Sequence, residues 1–441
     1  MYLIGFKVIS SKKINIIIGG GETLELKFLG GAQEVGRSAI LVKTQEARIL
    51  LDYGVQLSEP EPLFPSHVAA RDIDAVIISH AHLDHSGAAP LFMLNNGVKI
   101  YATPMTFKVA DLLLRDFLKL AGYYLPYETL EVEEMVRKGI DVSYGETVKI
   151  KDAEISFIDA GHIPGSFQVL INADKTLLYT GDFTTIKTRL QKGAELGPKD
   201  VDGVIIESTY ALEDHPERKN LEKEFVTRVR EVIDNGGRVL VPAFSVARSQ
   251  EIMCVLEAYN FREPVYIDGM SIKVLDIYLE MSEYIDGRQL LYQASKHVNR
   301  VTSSKKRGQA LSEASVIISP AGMLKGGPVV IYAGELAEDE KSAIFLVSFQ
   351  LPDTPGARLL NEKRLIHGQL DIKVKAQVEQ FKFSSHAGRT QLHQFLKRFD
   401  PGVKVFAIHG EPQATSDLVG FCRNELGVEA VAPIREEEYV I

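Results

Sequence analysis

AVIISHAHLDHSGAAP, residues 75–90, joins an uninterrupted apolar run to a dense polar turn. Ala75–Ser79 carries apolar residues at consecutive positions, the mark of a strand covered on both faces in an α/β sheet. Three of the chain's 11 histidines follow within six residues, His80, His82 and His85, with Asp84 among them. They begin where the strand ends and stop before a helical pattern over Ser86–Leu94. That places them at the carboxyl edge of a sheet, where such folds set their sites. His80 and His82 are two apart on extended backbone, so both imidazoles can point the same way. Asp84 and His85, on the following turn, can face a second point in the same cavity. Two ligand pairs this close suit a pair of ions ~3.5–4 Å apart. The ordinary alternative is a solvated polar turn in which Asp84 caps a helix. One histidine would favour it; three histidines and an aspartate at this spacing do not.

Composition narrows the ligand chemistry. The 441 residues contain two cysteines, Cys254 and Cys422, and no C-x-x-C pair, so a metal must be held by imidazole and carboxylate. Lys+Arg 50 against Asp+Glu 59 gives −9, which argues against a nucleic-acid binder working by bulk charge and leaves a local basic groove open. A hydrophobic fraction of 45% with 25% charged residues excludes disordered and fibrous classes. No stretch is apolar enough to cross a bilayer, so no membrane association is expected. The apolar Met1–Ile9 is broken by Lys7 and followed by Lys12 and Lys13, the wrong order for a secretory signal. A cytoplasmic protein is the expectation.

Outward from the histidine turn, the first half reads as short strands between glycine turns: Leu24–Leu29, Ala39–Lys43, Arg48–Leu51, Val98–Ala102, Thr147–Ile150, Glu154–Asp159, Phe167–Ala173 and Thr176–Thr180. Residues 104–138 are helical in pattern. From about residue 210 the texture changes to helices at Leu221–Asp234 and Ser249–Tyr259, alternating with buried-strand candidates at Arg238–Pro242, Val265–Asp268, Ser315–Ser319 and Ala343–Ser348. That is a second α/β unit of parallel type. Ile372, Val374, Ala376 and Val378 alternate as a strand, and Val403–Ile408 is another buried run. With no linker-like tract between the units, the second reads as inserted within the first.

Other polar residues sit at strand ends in the same manner: Asp52 in ILLDYG, His162 in AGHIPGS, Asp182 in YTGDF, Glu207 in VIIESTY, His386 in FKFSSHAGR and His409 in FAIHGE. Each alone reads as a turn residue. Together, in this order, they resemble the β-CASP family of metallo-β-lactamase-fold nucleases. The H-x-H-x-D-H spacing is similar to the fold's signature, and Glu207, His386 and His409 to motifs A, B and C. The stretches GGAQEVGRSA (Gly30–Ala39), SPAGMLKGG (Ser319–Gly327) and LPDTPGARLL (Leu351–Leu360) look like those of archaeal homologues of the cleavage and polyadenylation specificity factor endonuclease subunit.

The resemblance implies an αββα sandwich with an inserted α/β β-CASP domain, divided as 1–208 and 359–441 for the sandwich and 209–358 for the insert. It implies two zinc ions: His80, His82 and His162 on one, Asp84, His85 and His409 on the other, with Asp182 bridging. Asp52 would orient a ligand imidazole. His386, bonded to Glu207, would be the general acid, with Asp84 and Asp182 also essential to turnover. The implied activity is cleavage of single-stranded RNA, endonucleolytic, in 3′-end processing, transcription termination or decay. A 5′→3′ exoribonuclease of the RNase J type and a non-catalytic RNA- or partner-binding subunit are the alternatives. A homodimer, within an RNA-processing or transcription complex, is the expected assembly. For RNA contact the candidates are Lys305, Lys306 and Arg307 in the basic cluster 296–307, Lys325 in a glycine-bounded loop, and Arg248 before a helix. A solvated charged face is the equal alternative for that cluster.

Overall fold

The computed structural model describes residues 23–58, 61–94, 98–121, 124–368 and 370–441. The expectations for Met1–Lys13 fall outside these residues.

Alternation along single strands builds the sandwich. Ala75 and Ile77 point between two sheets, while Val76 and Ile78 pack under helices on the outer face. This strand is therefore covered on both sides, as its apolar run requires. Ile205 and its neighbours Val204 and Ile206 divide in the same way on the second sheet. Each of these valines and isoleucines contributes ~1.5–3 kcal/mol when withdrawn from water.

The first seven-stranded sheet runs Glu438–Val440, Glu25–Gly30, Ala39–Lys43, Arg48–Leu51, Ala75–Ile77, Lys99–Ala102 and Ile140–Asp141. The second runs Glu429–Val431, Lys404–Ile408, Gly203–Glu207, Thr176–Tyr179, Phe167–Asn172, Ala153–Asp159 and Thr147–Ile150. Phe28, Ile49, Phe157, Val169, Tyr179 and Phe406 fill the space between them. Helices Pro104–Ala121 and Thr129–Lys138 cover the first sheet; Arg389–Leu396 and Pro412–Phe421 cover the second. The last part of the chain thus supplies strands to both sheets. Lys404–Ile408 lies parallel to Gly203–Glu207 with Ile408 opposite Glu207, so residues from both parts of the chain meet at one strand edge.

A six-stranded sheet forms the inserted unit, in the order Val298–Val301, Val265–Asp268, Val316–Ser319, Val239–Pro242, Ala343–Leu346 and Gln377–Gln380. Every pairing in it is parallel. Its helix Met270–Glu280 packs on Pro104–Ala121, which joins the two hydrophobic cores. Gln377–Gln380 follows residue 358, so this sheet draws one strand from beyond the expected insert.

Three sequence expectations are redrawn. The helical pattern over 104–138 splits into 104–121 and 129–138, the second opened by a capping box in which Glu128 N donates to the Glu131 carboxylate at 2.8 Å. The helix expected at Ser86–Leu94 is a single turn, Leu83–Ser86, followed by a 3-10 turn, Ala89–Met93, that starts around Pro90. The alternation at 372–378 serves two strands in different sheets, because Val374 ends a hairpin with Arg364–His367 while Val378 joins the insert. No helix among the described residues is long and apolar enough to cross a membrane.

Candidate metal centre

The strand edges deliver their polar residues to one place. Asp52 follows Arg48–Leu51, His80 follows Ala75–Ile77, Asp182 follows Thr176–Tyr179 and His409 follows Lys404–Ile408. Asp52 and His409 take left-handed backbone, with φ of 58° and 49°, a cost that non-glycine residues bear where the turn must aim a side chain. His409 N is tied to Gly31 O at 2.8 Å, holding its turn in place.

Two donor sets result. The ligand atoms of His80, His82, His162 and Asp182 lie within 4.8 Å of one another, as do those of Asp84, His85 and His409. Asp182 stands between the sets: Oδ2 is 3.6 Å from His80 Nε2, 3.8 Å from His162 Nε2 and 3.4 Å from His85 Nε2, and Oδ1 is 3.4 Å from His409 Nδ1. His85 Nε2 and Asp182 Oδ1 are buried with no hydrogen-bond partner. Leaving such atoms unpaired costs ~1–3 kcal/mol each, and a cation would satisfy both. An imidazole and carboxylate donor set fits zinc or manganese.

The tautomers are set from behind. Asp52 accepts from Ser79 N (2.6 Å), Ser79 Oγ (2.8 Å), Tyr179 Oη (2.6 Å) and His85 Nδ1 (2.8 Å). His162 Nδ1 donates to Ser385 O at 2.9 Å. Each leaves Nε2 facing the cavity, as metal-binding histidines require. Replacing Asp52 by Ala frees the His85 ring and is expected to weaken metal binding ~10–100-fold, read by metal titration of the chelator-stripped protein. Unchanged affinity would mean that the Asp52 bond does not orient a ligand.

Burial keeps His80 and His162 neutral, well below the ordinary imidazole value, and pushes His82 down to about 4. Neutral rings have the lone pair a cation needs. Burial would raise Asp182, but His409, His85 and His386 outweigh it and hold the carboxyl well below its usual range. Burial opposes charge on His386 too; Glu207 and then Asp182 overcome it and raise the imidazole to about 9. His386 Nδ1 is 3.0 Å from both Glu207 oxygens, and Glu207 Oε1 accepts from Phe183 N at 3.0 Å.

The candidates for RNA contact divide. Lys305, Lys306 and Lys325 are exposed. Arg307 instead pairs with Asp268 at 3.0 Å, and Arg248 is 8% exposed, bonded to Glu251 at 2.5 Å and 3.4 Å from Ser385 Oγ. Arg248 is a buried strut and not a surface contact; its place before a helix gave no sign of that. Arg300 pairs with Asp276, so much of the basic cluster is spent within the insert. His215 lies outside every motif quoted from the sequence. Its Nε2 donates to His386 O at 3.1 Å, and its position a short way after Glu207, before Pro216, was the available signal.

Three family models match in order: the metallo-beta-lactamase superfamily over residues 32–210, the Beta-Casp domain over 249–359 and the Zn-dependent metallo-hydrolase RNA specificity domain over 371–433. The chain is 41% identical over 435 residues to RNase aCSPSF2 of Saccharolobus solfataricus, covering 97% of this chain and 88% of that one. The chain belongs to the β-CASP family. Other β-CASP relatives include Probable RNase MJ4 of Methanocaldococcus jannaschii, 37% identical over 93% of this chain and 98% of that one. The transcription termination factor FttA of the same organism is 34% identical over 95% of this chain and 72% of its own length. A protein of unknown function from Enterococcus faecalis V583 shares the fold, with a TM-score of 0.62 at 17% identity over 95% of this chain and 100% of that one. Membership of the β-CASP family makes the chain a metal-dependent nuclease acting on RNA.

Proposed function

We propose that the chain is a two-zinc endoribonuclease that cuts single-stranded RNA in 3′-end processing, transcription termination or decay. The observation that carries this reading is the His386–Glu207 pair set beside Asp182, which lies between two separate donor sets. His80, His82 and His162 would hold one ion and Asp84, His85 and His409 the other, with Asp182 shared. When bound, the ions lower the pKa of a water from 15.7 towards about 7 and offset the charge of the scissile phosphate.

The chain's own residues supply the rest. Glu207 holds the Nδ1 proton of His386, which leaves the Nε2 proton for the departing 3′ oxygen. Loss of that proton to the leaving group gives a 5′-phosphate product and a neutral imidazole still bonded to Glu207. Exposed Lys305, Lys306 and Lys325 would steer the RNA backbone. The division into a sandwich, 1–208 and 359–441, and an insert, 209–358, is part of the same proposal, with Gln377–Gln380 crossing over to pair in the insert's sheet. So are homodimerisation, for which the edge strand Glu438–Val440 offers a side unpaired among the described residues, and a place in an RNA-processing or transcription complex.

A circular single-stranded RNA separates endonuclease from exonuclease. The zinc-loaded protein is expected to open the circle and to give internal fragments from a 5′-labelled linear RNA. A circle left intact while linear RNA is degraded from its 5′ end would replace this reading with the RNase J type.

A further inference from the structure

His386 sits on backbone that belongs to no strand or helix: Ser384–Ala387 has no ladder of its own. Its polar groups must then find partners elsewhere. Three consecutive carbonyls are each held by a side-chain N–H from a remote part of the chain. Arg218 Nη1 donates to Ser384 O at 3.2 Å, His162 Nδ1 to Ser385 O at 2.9 Å and His215 Nε2 to His386 O at 3.1 Å. The N–H groups are tied as well, His386 N to Ser384 Oγ at 3.0 Å and Ala387 N to Phe183 O at 2.7 Å.

The two donors from the insert side are themselves fixed. Arg218 lies against Glu222 and Glu251, whose side chains are 3% and 2% exposed, and its guanidinium stacks over Phe383 at 4.8 Å. The His215 ring packs on Tyr210 at 4.5 Å, and Gly388 leaves room for it, since a Cβ there would stand 3.2 Å from His215 Cδ2. A carbonyl can only accept, so His215 must carry its proton on Nε2. The loop that bears His215 is pinned just before it: Arg389 N donates to Glu213 O at 3.0 Å and Thr390 N to Asp214 Oδ1 at 2.7 Å.

We propose that His215 and Arg218 are positioning residues that clamp the backbone beneath His386 and so set the geometry of proton delivery to the leaving oxygen. The proposal rests on His386 being the proton donor. His215 has no contact with the two donor sets. Its removal frees the His386 peptide to rotate and leaves the metal ligands in place. A misplacement of ~1 Å at a reacting group costs ~10²-fold in rate, which bounds the effect.

Two substrates distinguish this role from general support of the fold. An RNA phosphodiester needs a proton on its departing alkoxide, whereas bis(p-nitrophenyl) phosphate releases a phenolate that leaves without one. His215→Ala is expected to lower kcat on RNA ~10–100-fold with KM within about twofold, and to lower p-nitrophenyl ester hydrolysis no more than about threefold. Bound metal should match wild type. His215→Gln, whose amide can donate to the same carbonyl, should recover most of the RNA rate. Arg218→Lys keeps the charge between Glu222 and Glu251 but loses the bond to Ser384 O, and should show the same split if the alanine variant folds poorly. Equal losses on both substrates, an undiminished RNA rate, or a glutamine variant no better than alanine would each overturn the clamp. A wild-type chain that cuts neither substrate defeats the reading of the site itself, and the clamp with it.

Discussion

Asp182→Ala should lose bound metal and RNA cleavage together, with activity falling ~10⁴-fold or more. Among the described residues no other carboxylate stands within 4 Å of ring nitrogens from both donor sets: His80 and His162 on one side, His85 and His409 on the other. Removing it would take the shared anion from both donor sets at once, whereas loss of Asp84 would strip only the set it shares with His85 and His409. The magnitude follows from what the ions supply, since a water of pKa 15.7 is ionised at neutral pH roughly 10⁸-fold less than one of pKa about 7. Weaker basicity of the better-ionised water returns part of that factor. Metal content by elemental analysis and cleavage of labelled RNA test the claim, with the chelator-stripped wild type as the reference. The variant's thermal transition should resemble that of the stripped wild type, because the surrounding sheets do not depend on this carboxylate for packing. Retained stoichiometric metal with normal cleavage would remove Asp182 from the site.

Why the donor sets were legible from sequence is itself physical. His80, His82, Asp84 and His85 fall in one short run, and strand-end placement is visible wherever a buried apolar run stops at a polar residue. His162, Asp182, Glu207 and His409 share that grammar. Parallel strands must cross over, so their carboxyl ends gather on one edge, and residues at such ends meet whatever their separation. The tie between Glu207 and His409 is a case in point, since Ile408 pairs with Glu207 across adjacent strands. What stayed hidden depends on packing between units. Arg248 reads as a free cation at a helix start, yet it is buried, bonded to Glu251 one turn later and to the Ser385 hydroxyl. His215 lies in a polar loop with no periodicity, and its role appears only once Gly388 is brought beneath it. The pairing of the strand at 377–380 with the inserted sheet was not legible, because alternation reports a half-buried strand and not the sheet that receives it.

His386→Ala should reduce RNA cleavage ~10²–10⁴-fold while leaving bound metal at the wild-type level. Its Nδ1 is 4.0 Å from Asp182 and committed to Glu207, so it is not one of the clustered ligand atoms. The pH dependence gives the sharper test. Burial alone would lower this imidazole; Glu207 and Asp182 raise it to about 9. A donor with a raised pKa is fully protonated below the ordinary value of 6.5 and is lost as pH rises through about 9, so kcat/KM should decline on its alkaline side there. Glu207→Gln keeps an acceptor for Phe183 N and removes the charge. The alkaline limb should then move towards neutral, and the variant should lose more activity at pH 8 than at pH 6. Bound cations pull both limbs down together, so the displacement between wild type and variant decides the matter. An unmoved limb in Glu207→Gln, with His386→Ala still inactive, would show that His386 acts by binding substrate and that the leaving oxygen takes its proton from another source.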